Sequence, residues 1–136
     1  MALFYADASA LVKLVRHEPQ TAALGTFLAG ADIVSSEIVL TEVPRAAHRA
    51  ASDDPTLPLD ALMARAGDVL QTLALIPVDR AVLLAAGALA EPMLRALDAI
   101  HIASAVAVLP IDGFVTYDDR QAATARLAGL RTVAPG

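Results

Sequence analysis

The chain is expected to be an α/β protein: a three-layer α/β/α sandwich around a central, mainly parallel sheet. Three observations carry this expectation. Leu3-Phe4-Tyr5-Ala6 is apolar without polar alternation, as in a strand covered on both faces. Further short extended stretches alternate with segments of helical spacing, the pattern of a parallel sheet with helices on both sides. Asp7 and Asp118 stand at the carboxyl ends of two such stretches, where ligands of these sheets bind. Length supports one domain spanning residues 1–136, since 136 residues is an ordinary domain size and no linker or repeat interrupts the chain.

The elements follow in order. After Leu3–Ala6, Ser9 is expected to cap a helix in which Ala10, Leu11, Leu14 and Val15 share a face. Pro19 suits the first turn of a second helix, with Ala22, Ala23, Phe27 and Leu28 on one side. Ile33-Val34 is a brief strand ending at Ser35-Ser36. Thr41 to Ala51 reads as a helix with Glu42 and Pro44 in its first turn, where Pro removes no helical bond. Ser52 to Pro55 is a turn, Leu59 to Thr72 a helix, and Leu75 to Val78 extended. Asp79 caps Ala81 to Leu89, and Glu91-Pro92 breaks the chain before a helix from Arg95 to Val108, apolar nearly all round. Gly113 to Tyr117 is a strand, Asp119 to Ala128 a helix with Gly129 as its C-cap, and Arg131 to Ala134 the last strand.

Composition narrows the function. Apolar residues make up 57% and aromatics 4%, so the core is aliphatic, with surface to spare for a partner. A net charge of −5 argues against a non-specific nucleic-acid coat, though not against a nucleic-acid enzyme with a few local arginines. Without cysteine there is neither disulfide nor thiolate chemistry. The opening apolar run stops at Asp7, too short for a signal peptide, and Ala81–Ala90 is half of the roughly 20 residues a membrane span needs. No membrane association and a cytoplasmic setting are therefore expected.

Four acids carry the chemical signal: Asp7, Glu42, Asp98 and Asp118, each at the end of, just after or inside a largely apolar run. An ionised carboxylate in apolar surroundings is costly unless a positive group meets it. Two of them about 4 Å apart repel by roughly 4 kcal/mol at an effective dielectric near 20. A hard divalent cation removes that cost, and Mg²⁺ or Mn²⁺ suits oxygen ligands. Each acid has an ordinary structural explanation: a cap for Asp7, a helix-dipole position for Glu42, a turn for Asp118. Asp98 is the hardest to explain so, because Leu97, Ala99 and Ile100 surround it.

The segments Tyr5-Ala6-Asp7-Ala8-Ser9, Leu40-Thr41-Glu42-Val43, Leu97-Asp98-Ala99-Ile100-His101-Ile102-Ala103 and Phe114-Val115-Thr116-Tyr117-Asp118 stand in the order and spacing of a known family. The chain resembles a PIN domain, and specifically the VapC-type toxin ribonucleases of type II toxin–antitoxin systems, over nearly its whole length. That resemblance implies Mg²⁺- or Mn²⁺-dependent cleavage of RNA by a homodimer restrained by a small VapB-like antitoxin. It places the acidic quartet on Asp7, Glu42, Asp98 and Asp118 as catalytic and metal-binding residues.

Neighbouring residues invite supporting roles. Ser9 suits a cap first and a site hydroxyl second, and Thr116 lies two residues before Asp118 on the same side of the strand. His101 follows Asp98 by three, but Arg45 stands where a matching helical di-metal site needs a second His, so His101 reads as a packing or supporting residue. Arg16, Arg45, Arg49, Arg120 and Lys13 are candidates for the RNA backbone. Surplus aliphatic surface between Thr41 and Leu73 is expected to serve the dimer and the antitoxin. The rival readings are a receiver-like signalling domain, which lacks its middle-strand Asp here, and a catalytically silent PIN-like scaffold.

Overall fold

Alternate residues of the first strand face opposite helical layers, which explains its lack of polar alternation. The computed structural model describes all residues 1–136. In chain order the elements are β1 (Leu3–Ala6), α1 (Ala8–Val15), α2 (Thr21–Leu28), β2 (Asp32–Ser36), α3 (Val39–Asp53), α4 (Leu59–Gln71), β3 (Ala74–Ile76), α5 (Arg80–Gly87), α6 (Ala96–Ala107), β4 (Gly113–Val115), α7 (Asp119–Leu127) and β5 (Thr132–Val133). The sheet runs β3-β2-β1-β4-β5. Every pairing is parallel, with Tyr5 opposite Val34 on one side and Phe114 on the other.

Phe4, Ala6 and Val115 pack with Leu11 of α1, Leu24 of α2, Val43 of α3 and Leu62 of α4. Tyr5, Val34 and Phe114 pack on the opposite face with Ile102 of α6 and Ala125 of α7. Val82 and Ala86 of α5 then pack against Ala99 and Ala103 of α6. These are the three layers expected, with the sheet wholly parallel.

Several boundaries move for local reasons. Asp7, not Ser9, caps α1: its Oδ1 accepts from the Ala10 amide at 3.2 Å, so the helix starts at Ala8. Pro19 precedes α2, because the Thr21 hydroxyl accepts from the Glu18 amide and donates to the Lys13 carbonyl, holding residues 18–21 in a turn. Helix α3 begins two residues early and takes up Ser52 and Asp53. Pro44 therefore lies in its second turn, where it removes the helical donor to the Leu40 carbonyl. Strand β4 stops at Val115 because the Tyr117 and Asp118 amides donate to the hydroxyls of Ser9 and Thr116. Gly129 ends α7 at φ +87°, in the left-handed region where a side chain is strained.

The spare aliphatic surface is not where the sequence pattern put it. Helices α3 and α4 bury Val43, Ala47, Ala50, Leu62 and Ala66 within the chain. Exposed large apolar residues stand instead at Leu83 and Leu84 of α5, at Leu97 and Val106 of α6, and at Met1, Met93, Leu109 and Leu127, with only Leu40 near α3's start. No helix is long and apolar enough to cross a membrane.

Chain order reverses at β1, whose neighbours are β2 and β4. The crevice beyond the carboxyl ends of β1 and β4 is the binding position of such a sheet. Asp7 directly follows β1, and Thr116 to Asp118 follow β4.

Candidate active site

Asp7 is 3% exposed and lies at the base of the crevice. Its Oδ1 accepts from the Ser9 hydroxyl at 2.6 Å and from the Ala10 amide, and its Oδ2 accepts from the Thr116 hydroxyl at 2.5 Å. Three donors leave about one of a carboxylate's roughly four acceptor positions open. Burial pushes the Asp7 carboxyl above the usual carboxylate range, and the hydrogen bonds from Ser9 and Thr116 act in the opposite direction. Ser9 and Thr116 thus hold the carboxylate, and Ser9 also ties β1 to β4 by accepting from the Tyr117 amide at 2.9 Å.

Glu42 enters from the first turn of α3. Its Oε1 is 2.7 Å from Nε2 of His101, which is buried in α6. The other ring nitrogen, Nδ1, lies 2.7 Å from the Tyr5 hydroxyl. His101 is therefore a direct partner of Glu42, the supporting one of the two roles that the sequence left open. Tyr5 was not foreseen, because a tyrosine within an apolar strand carries no sign of a polar task.

Asp118 caps α7, its Oδ1 accepting from the Arg120 amide at 2.9 Å and the Gln121 amide at 3.0 Å. Asp98 sits in the first turn of α6. Its carboxyl is raised above the usual range by desolvation first, then by the negative charges of Asp118 and Glu42, against the positive pull of His101 and Arg95. Asp118 and Glu42 are thus both within electrostatic reach of Asp98. Gln121 was also missed: fully buried, it donates from Nε2 to the Asp98 carbonyl at 3.3 Å and so links the bases of α6 and α7.

Two openings meet here. A cavity of about 630 Å³ is lined by Ser9, Lys13, Glu42, Arg45, Arg49 and Asp118, among others. A smaller one of about 340 Å³ is lined by Glu42, Arg95, Leu97, Asp98 and Asp118. Glu42, Leu97 and Asp118 border both. Asp7 lines neither and lies beneath. As the side chains stand, no three acids or histidines form a ligand set around one point. The donor chemistry nevertheless fits a hard cation: oxygen ligands only, crowded negative charge, and one acceptor position left on Asp7.

The basic residues divide. Arg45 and Arg49 line the larger cavity from α3. Lys13 also lines it but is engaged, 2.7 Å from Glu18, 3.2 Å from Gln20 and over the Tyr117 ring. Arg16 is near Asp54, and Arg120 lines a separate depression with Glu91 and Met93, so neither faces the acids' cavity. Arg95, unnoticed in the sequence, borders the smaller cavity.

A parallel sheet with this strand order and acids at its reversal point is the arrangement of a PIN domain, and the family model described as "PIN domain" matches residues 4–127. The chain is 34% identical to Ribonuclease VapC47 of Mycobacterium tuberculosis, over 98% of each chain. It is 38% identical to Ribonuclease VapC46 of the same species, over 99% of each. Among solved structures it is similar to VapC20 of M. tuberculosis, a sarcin–ricin-loop-cleaving toxin (TM-score 0.72, 18% identity, 97% and 99% of the two chains). It is also similar to VapBC2 of Rickettsia felis bound to promoter DNA (TM-score 0.71, 15% identity, 98% and 99%). The chain belongs to the PIN-domain family, among its VapC-type toxin ribonucleases.

The raised carboxyls have a thermodynamic consequence. Asp7 and Asp98 hold their protons more tightly folded than unfolded. Stability therefore falls as pH rises from the ordinary carboxylate range through their raised values. In metal-free buffer, Asp98→Asn is expected to unfold at higher temperature than the parent at neutral pH, with that advantage shrinking toward acidic pH. Thermal unfolding followed by circular dichroism checks this; an Asp98→Asn variant less stable at neutral than at acidic pH, relative to the parent, contradicts it.

Proposed function

We propose that this chain is a metal-dependent endoribonuclease toxin, hydrolysing RNA phosphodiester bonds at Asp7, Glu42, Asp98 and Asp118. The observation that carries the reading is that Glu42, Asp98 and Asp118, from three separate helices, line one opening at the carboxyl end of the sheet, where Asp7 also follows β1. Mg²⁺ or Mn²⁺ would be held by Asp7, Asp98 and Asp118, with Glu42 binding directly or through water. Such an ion, when bound, lowers the pKa of a water and offsets charge developing on the phosphate.

The chain's own residues do the rest. Ser9 and Thr116 keep Asp7 aimed, and their hydrogen bonds favour its charged form. Arg45 and Arg49, exposed and one turn apart on α3, meet RNA phosphates where the strand crosses the larger cavity. Arg95 offsets part of the acids' charge at the other opening.

Regulation is proposed along family lines. A VapB-like antitoxin lays a segment over the crevice and presents a basic side chain to the acids, blocking substrate and satisfying the site's charge. Exposed Leu83 and Leu84 of α5, with Met93, supply apolar surface for a homodimer. The whole chain acts as a single PIN domain in the cytoplasm.

Two measurements test this. With Mn²⁺ present, the purified chain is expected to cut RNA, and Asp7→Asn and Asp98→Asn to abolish cutting while remaining folded; full cleavage by both variants refutes the site. RNA binding without cleavage is expected to weaken with salt, and the Arg45→Ala, Arg49→Ala double variant to flatten the slope of log affinity against log salt by about 1.4, at about 0.7 per lost phosphate contact. An unchanged slope removes these arginines from the RNA path.

A further inference from the structure

We propose that Tyr5 and His101 are positioning residues that set Glu42 for cation binding through a buried hydrogen-bonded chain. This rests on the metal-dependent reading of the site and assigns the roles of two residues that reading does not use.

The chain crosses the whole fold. Tyr5 is on the central strand, facing the α6 layer, while Glu42 is on α3 in the opposite layer. His101 spans the gap at the carboxyl edge of the sheet, 2.7 Å from each partner. Tyr5 is 0% and His101 1% exposed, so water cannot substitute for either contact. The Tyr5 ring is stacked on Phe114 at 5.1 Å between centroids, and the His101 ring stands nearly perpendicular to it, at 81°. Both rings are therefore fixed by packing before they make a hydrogen bond.

The direction of the bonds follows from chemistry. A carboxylate only accepts, so Nε2 of His101 carries the proton facing Glu42. On the other side of the ring, the Tyr5 hydroxyl lies 2.7 Å from Nδ1, within hydrogen-bond distance. The hydroxyl thereby helps to hold the ring in the orientation that points Nε2 at Glu42. With Oε1 committed to His101, Oε2 is the oxygen of Glu42 left for a cation. Groups that orient a metal ligand in this way commonly change affinity by about 10–100-fold when removed.

A histidine that merely fills space accounts for burial but not for the linear relay to an active-site acid. Mn²⁺ affinity, measured by calorimetry on variants shown to be folded, separates the two. His101→Leu fills the volume without a donor and is expected to bind Mn²⁺ about 10–100-fold more weakly. His101→Gln, whose amide reaches the Nε2 position, is expected to recover most of the loss. Tyr5→Phe removes a single oxygen and is expected to weaken binding by a smaller, measurable factor; it decides the matter alone if His101→Leu does not fold. Parental Mn²⁺ affinity in both Tyr5→Phe and His101→Leu overturns the proposal. A folded parent that binds no Mn²⁺ overturns the underlying site as well, so the two failures are distinguishable.

Discussion

Negative charge gathered at one edge of an apolar sheet is the constraint around which this molecule is arranged. Asp7 is the extreme case: a nearly enclosed carboxylate at the reversal point of the strand order. Leaving it bare would cost several kcal/mol by the general expense of burying charge. Ser9, Ala10 and Thr116 supply three donors, and the carboxyl is still raised. Local hydrogen bonding therefore offsets only part of the desolvation.

The acids reach the crevice from separate elements, which is why the fold must be intact for the site to exist. Asp7 caps α1, Asp118 caps α7, and Glu42 and Asp98 lie in the first turns of α3 and α6. All four therefore sit where the partial positive charge of a helix start favours a carboxylate. Those dipoles hold the acids in place without neutralising them. The side chains do not yet converge on a single point. A cation held by all four, as proposed, would have to draw them together, so its affinity would report on how well supporting residues limit that movement.

Much of this was legible in the sequence, for identifiable reasons. The unalternating Leu3–Ala6 run announced a strand covered on both faces, and the quartet stood out because acids are rare in apolar runs. Thr116 does support the site, as expected, but not for the expected reason: β4 stops before it, and the acid it holds is Asp7. The cap of α1 was misplaced because Ser and Asp both suit that position, and only the ties from Ser9 to Tyr117 and from Thr116 to Asp7 decide between them. Tyr5 and Gln121 were invisible because their partners lie 96 and 23 residues away. Lys13 seemed free for substrate, but Glu18 is folded back against it by a turn that the sequence pattern did not reveal. The exposed apolar patch was misplaced because helix spacing shows that a face is apolar, not which neighbour covers it.

The central claim is that four distant acids build one cation site. The most direct measurement is anomalous diffraction from a crystal of the chain soaked with Mn²⁺. The account expects a single strong peak, or a close pair, in the crevice between β1 and β4, in contact with carboxylate oxygens of Asp7, Asp98 and Asp118. A crystal with no peak there, or with Mn²⁺ held only by acids elsewhere on the surface, would contradict it.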